Sequence, residues 1–143
     1  MSGFDGTVIP FDDGDAVSFD DSPIPEDTYT LMLVAGTIGQ SKAGNPKVDW
    51  EFKVIDHEDY GERRIWHTTP TTGRGAGMFT AVLKAFGYEV REYLEPFGGV
   101  TNEALAGLVG ESADTKVGID VPDDETLEQY PNAKPRNKVR RFA

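Results

Sequence analysis

The sequence predicts a mainly β domain of five strands, with a single main α-helix between the third and the fourth. Three observations carry this expectation. The chain has 143 residues, the length of one domain, and at 38% hydrophobic and 10% aromatic it can bury a core. Its 16 Gly and 9 Pro are too many for a long-helix bundle and suit a turn-rich sheet protein. Its apolar residues alternate with period two in most segments and follow a helical period in only one long stretch.

Taken in order, residues 1–24 (MSGFDGTVIPFDDGDAVSFDDSPI) follow neither period and read as an acidic arm, leaving residues 25–143 as the folded domain. Residues 29–38 form the first strand, with Tyr29, Leu31 and Leu33 alternating against Thr30, Met32 and Val34 and both faces buried at its centre. Residues 39–46 (GQSKAGNP) are turn chemistry. The second strand puts Val48, Trp50, Phe52 and Val54 on one face and Lys47, Asp49, Glu51 and Lys53 on the other, the pattern of a hairpin with one wet face.

Residues 56–62 (DHEDYGE) read as a second turn. The third strand, 63–69, sets Arg64, Trp66 and Thr68 opposite Arg63, Ile65 and His67. The helix then carries Met78, Phe79, Val82, Leu83 and Phe86 at helical spacing and stops at Gly87. An irregular stretch with Tyr88, Tyr93, Leu94 and Phe97 leads to Thr101, an N-cap for the short helix NEALAGL. A fourth strand over 115–121 aligns Val117, Ile119 and Val121, an acidic loop runs to Pro135, and 137–142 (NKVRRF) forms the fifth strand. Three meander strands, a helix and two more strands match the five-stranded Greek-key barrel of the oligonucleotide/oligosaccharide-binding fold. A sandwich needs about seven strands, and a doubly wound fold needs strands and helices that alternate.

Charge and composition bound the function. The formal charge is −11, yet residues 1–27 hold eight acids and no base, so the remainder is close to balanced at 17 acids against 14 bases. The C-terminal stretch with Lys134, Arg136, Lys138, Arg140 and Arg141 contains no acid, and a global negative charge does not exclude a polyanion partner when the bases share one face. The absence of Cys removes thiolate chemistry and disulfides, and two His do not make a structural zinc site. No signal peptide or membrane span is expected, which points to a cytoplasmic protein.

In order and spacing, the runs PIPEDTYTLML, SKAGNP, VDWEFKVID, DYGERRIWHTT, FTAVLKAFGY and NKVRRF resemble a family of phage-encoded proteins catalogued as a domain of unknown function. That family is considered similar to single-stranded DNA-binding proteins. The resemblance covers about residues 23 to 142. It implies a barrel fold and binding of single-stranded DNA in phage replication or recombination, within the bacterial host cytoplasm, and it supplies no catalytic residue or cofactor.

Sequence-independent binding of single strands requires bases for the phosphates and aromatic faces for the nucleobases. Lys42 and Lys47 lie at the first hairpin loop, Lys53 on the wet face of the second strand, and Arg63, Arg64 and Arg74 flank the third strand. The last loop and strand add Tyr130, Lys134, Arg136, Lys138, Arg140 and Arg141, because the one–two and four–five loops border the groove of this fold. Trp50 shares the phase of the core residues, whereas Trp66 shares a face with Arg64 and is the stacking candidate. Phe142 is read as pinning the end of the chain. The arm, with its clusters IPFDDGD and FDDSPIP, is either a solubilising segment or a docking or self-inhibiting element, one that recruits replication or recombination proteins or one that competes with DNA for the basic groove.

Two other classes are weighed. A metal-dependent nuclease would use Glu51-Phe52-Lys53 with Asp27 to hold Mg²⁺ and polarise water. An acidic protein-binding module that mimics DNA would need its acids spread over a folded face, whereas here they concentrate in the arm and one loop. Gly73, Gly75 and Gly77 lack the Gly-Lys-Ser/Thr ending of a phosphate-binding loop and read as a helix start. The expected protein is a non-enzymatic single-strand binder, and a homo-oligomer is compatible with it.

Overall fold

A computed structural model of the protein describes residues 22–142; residues 1–21, the bulk of the acidic arm, lie outside the described residues. Five strands, β1 (Asp27–Gln40), β2 (Pro46–Ile55), β3 (Arg64–Pro70), β4 (Ser112–Asp120) and β5 (Arg136–Phe142), form one sheet in the order β3-β2-β1-β4-β5. Every neighbouring pair is antiparallel, so the two edge strands β3 and β5 run in the same direction. These edges approach each other through side chains, with the His67 and Phe142 rings 6.2 Å apart. The architecture is thus a mainly β, open antiparallel sheet that curls on itself, with a few short helices.

The hairpin of β1 and β2 follows from the period-two pattern. Tyr29, Leu31 and Leu33 are buried, as are Val48, Trp50, Phe52 and Val54 on the facing strand. The strands run further than the turn chemistry implied: Gly39 pairs with Lys47 and Gln40 with Pro46, leaving a loop of 41–45. The register of β1 shifts between Leu33 and Ala35, and Met32 and Val34 on the outer side are only half-buried, so the first strand is buried on one face and not on both. A side chain at Gly36 would press on Leu105, its Cβ lying 3.3 Å from that residue's Cβ, so this glycine allows the segment 102–108 to pack close on β1.

The main helix, α1 (Ala76–Ala85), covers the inner face of the sheet with Phe79, Val82 and Leu83 and ends before Gly87 at φ +92°, where a side chain would be strained. Rings at Trp50 and Phe79 stand 5.8 Å apart, and those at Phe52 and Phe86 6.4 Å. Met78 departs from its expected core position and is 46% exposed, because the buried stripe is centred on Phe79, Val82 and Leu83, one position round the helix.

Three further expectations are corrected. The stretch after the helix is not irregular throughout: α2 (Val90–Leu94) forms because the Glu89 carboxylate accepts from the backbone N–H groups of Arg91 and Glu92, and a 3₁₀ turn follows over Glu95–Phe97. As expected, the Thr101 hydroxyl caps the next helix, α3 (Asn102–Ala106), by accepting from the Ala104 N–H. The fourth strand starts at Ser112, where pairing with Met32 overrides a polar local sequence, and it ends at Asp120. Val121 therefore leaves the sheet face and is 66% exposed, ahead of Pro122, which has no N–H for a ladder. The acidic loop contains a one-turn helix, α4 (Asp124–Gln129), capped by the Asp123 carboxylate on the Thr126 N–H.

Ser22 to Ile24, read from sequence with the arm, join the folded body. Ile24 is buried, and its backbone is held at both N–H and carbonyl by the Asn137 side-chain amide, each bond 2.9 Å.

Candidate nucleic-acid interface

The outward face of β2 and β3 carries the residues that alternation turned away from the core. Along β2 these are Lys47, Asp49, Glu51 and Lys53; along β3 they are Arg64, Trp66 and Thr68. Register sets them across from one another, Lys53 opposite Arg64, Glu51 opposite Trp66 and Asp49 opposite Thr68. The two tryptophans have opposite fates. Trp50 is fully buried, its indole N–H donating to the Thr69 hydroxyl at 2.9 Å, whereas Trp66 is 62% exposed in the middle of the wet face.

The bases of this face are matched by acids. Lys47 stands 3.2 Å from Asp49, Lys53 3.2 Å from Glu62, and Arg64 3.2 Å from Glu51. Asp49 also accepts a 2.6 Å hydrogen bond from the Thr68 hydroxyl, and this bond, with Lys47 beside it, lowers the carboxyl below its ordinary pKa. The face is therefore a charge-balanced lattice around one exposed indole. At its end, the 41–45 loop and the β3-to-α1 link enclose a shallow pocket of ≈ 410 Å³ lined in part by Lys47, Thr68 and Arg74. Among the described residues, Lys42 and Arg74 are exposed and form no ion pair.

The other expected contacts lie elsewhere. Arg63 falls in the turn before β3 rather than in the strand, and its guanidinium donates to the Ser22 carbonyl. On β5, Lys138 lies 3.9 Å from Asp120, the cross-strand partner of Arg136. Arg140 lies 3.6 Å from Glu26 and donates to the Ile119 carbonyl. It crosses Gly118 so closely that a Cβ there would sit 2.1 Å from the Arg140 Nε, and the backbone under the guanidinium needs that glycine. Arg141 pairs across the strand with another cation, Lys116. Lys134 and Arg136 border a separate pocket beside the half-exposed Tyr130. The twelve candidates therefore do not share one groove: Lys42, Lys47, Lys53, Arg64, Trp66 and Arg74 line the β2–β3 side, the five C-terminal bases line the β4–β5 side, and Arg63 is taken up by the Ser22 carbonyl. Phe142 packs inward on Phe52 and His67, as its pinning role requires.

The acid-x-Lys arrangement is not completed by Asp27. Glu51 pairs with Ala35, eight positions along β1 from Asp27, which separates the two backbones by about 27 Å. Among the described residues no group of three or more His, Asp or Glu side chains is placed to hold a metal ion. The turn over 56–62 uses His57 as an acceptor for the Asp59 and Tyr60 N–H groups.

Sequence reasoning missed one constellation. Lys84 on α1 joins Arg140 and Arg141 around a cleft of ≈ 560 Å³ between α1 and β5, with His67 at its side. Burial holds the His67 imidazole below its usual pKa, so it is neutral at pH 7. The polar position of Lys84 in the helical period was the available signal. Among the described residues no helix is long and apolar enough to cross a membrane. No protein-family model matches the chain, and no curated protein matches it by sequence.

Proposed function

We propose that the protein binds single-stranded DNA, without catalysis and largely without sequence preference, across the outward face of β2 and β3, and that its sheet is a Greek-key barrel of the oligonucleotide-binding kind. The strand order, the parallel approach of β3 and β5 and the helix between β3 and β4 support the barrel reading. One observation carries the functional reading: Trp66, 62% exposed, stands on the strand pair that this fold uses for ligands and is flanked by Arg64. An apolar surface of that size on a polar face lacks a packing role and suits a stacked base. The preference for DNA over RNA and the role in phage replication or recombination rest on the sequence resemblance alone.

The test is a titration with unlabelled oligothymidine, read by tryptophan fluorescence, repeated with duplex of equal length and with Mg²⁺ present. Single strands should quench, duplex should bind more weakly, and no cleavage should follow. Trp66→Ala should abolish the quench and weaken binding by about 1–3 kcal/mol, about 5- to 150-fold, while leaving stability within about 0.5 kcal/mol. Unchanged affinity in that variant, or duplex bound as tightly as single strand, refutes the assignment.

A further inference from the structure

The cleft between α1 and β5 has an apolar floor that includes Ala81, Ala85 and Val139 and a rim of Lys84, Arg140 and Arg141. Among the described residues that line it, none is acidic. Arg140 is already shared with Glu26, which leaves Lys84 and Arg141 as the open cations of the rim. The complement of such a site is an aromatic side chain flanked by carboxylates: the ring covers the floor and the acids meet these two cations. A bare phosphate would leave the floor uncovered, and a neutral apolar peptide would leave the rim unmatched.

The chain itself carries that complement twice, as Phe11-Asp12-Asp13 and Phe19-Asp20-Asp21, in a segment of 21 residues with six acids and no base. It also leaves the body at the right place. The Ser22 carbonyl is held by Arg63, directly before β3, and Ile24 is held by Asn137, near the start of β5. Since β3 and β5 run in the same direction, the chain emerges between their two starting ends. His67 and Arg141 lie about 13 Å further along those strands, four residues beyond Arg63 and Asn137. Three extended residues span about 10 Å, so the ring of Phe19 comes within reach with its side chain and Phe11 reaches with slack.

We propose that the acidic arm docks in this cleft through its Phe-Asp-Asp segments, Phe seated over Ala81 and Ala85 and the carboxylates on Lys84 and Arg141. The cleft lies apart from Trp66, and the inference does not depend on the single-strand reading.

The experiment compares NMR spectra of the full chain with those of a full-length variant carrying Phe11→Ala and Phe19→Ala. A docked ring shifts the Ala81 and Ala85 methyl signals, and the variant should lose that shift, with amide changes confined to α1 and the end of β5. Raising the salt should produce the same changes in the unaltered chain and not in the variant, and Lys84→Glu with Arg141→Glu should reproduce them. Methyl signals that ignore both the variant and salt overturn the proposal. So do changes centred on the neighbours of Trp66, and so does a shift that vanishes on dilution, which would place the arm on a second copy of the chain.

Discussion

Replacing Glu51 by Gln separates the readings of the β2–β3 face more sharply than deleting a base would. Glu51 is the cross-strand neighbour of Trp66, and its carboxylate holds the Arg64 guanidinium at 3.2 Å, with both side chains partly exposed. Gln keeps the volume and the strand position and removes one negative charge beside the proposed stacking platform. A unit charge about 6 Å from a phosphate in an aqueous dielectric contributes about 0.7 kcal/mol, and screening at physiological salt cuts this by about half. Removing the repulsion should tighten oligothymidine binding about twofold. The freed Arg64 can neutralise one more phosphate, so the slope of log K against log salt should steepen by about 0.7. The lost ion pair is exposed, and the cost in stability should stay within about 0.5 kcal/mol. Fluorescence anisotropy of a labelled oligothymidine over a salt series measures both quantities, and a urea melt measures the third. Weaker binding with an unchanged slope refutes the reasoning, because a phosphate near Arg64 must respond to both changes. The nuclease reading predicts the contrary result, a Mg²⁺-dependent cleavage that the substitution abolishes.

Thr69→Val should cost about 1–3 kcal/mol in urea denaturation, because it strands the fully buried Trp50 N–H without its acceptor, while Thr69→Ser should recover most of that loss. An unaffected Val variant would mean that the indole finds another partner. For His67, burial lowers the folded-state pKa below the unfolded value, so the unfolded chain takes up the proton first as pH falls. Its contribution is complete above the unfolded pKa of about 6.5 and is lost as pH drops through that value toward the folded one. His67→Gln should flatten the stability profile between about pH 7.5 and 5.5, and parallel profiles for the two proteins would contradict the assignment.

The sheet was legible where one face is buried and one wet, since alternation then has a single solution. Val48, Trp50, Phe52 and Val54 came out fully buried, and the phase of Trp66 against Ile65 foretold its exposure. The short helices α2 and α4 were not legible, because five or six residues contain too few turns to display a period; their caps, Glu89 and Asp123, carry the signal instead. The identity of the bases was readable and their state was not. Lys47 and Asp49 share a face two residues apart, so that pair was visible in the alternation. Pairing of Arg64 with Glu51 and of Lys53 with Glu62 depends on the β2–β3 register. That register is set by a turn with positive φ at Asp56 and Glu62, which local composition does not announce. The cleft at Lys84 draws on α1, β3 and β5 together, and no window along the chain contains it.

Charge balance on the β2–β3 face bears on what the face can select. Duplex DNA offers a protein mainly its phosphates and groove edges, and binding without sequence preference draws on counterion release by unpaired bases. Three of the five bases on this side already hold carboxylates, leaving Lys42 and Arg74 as the unpaired cations among the described residues. An attraction built on two cations is weak for a duplex. A single strand brings an added contribution, because its bases are unpaired and can lie on the Trp66 ring, and that stacking neither requires nor releases counterions. On the proposed reading the balanced charge is therefore a source of selectivity: it removes most of the attraction that would hold a duplex and leaves in place the stacking contact that only an open strand can make.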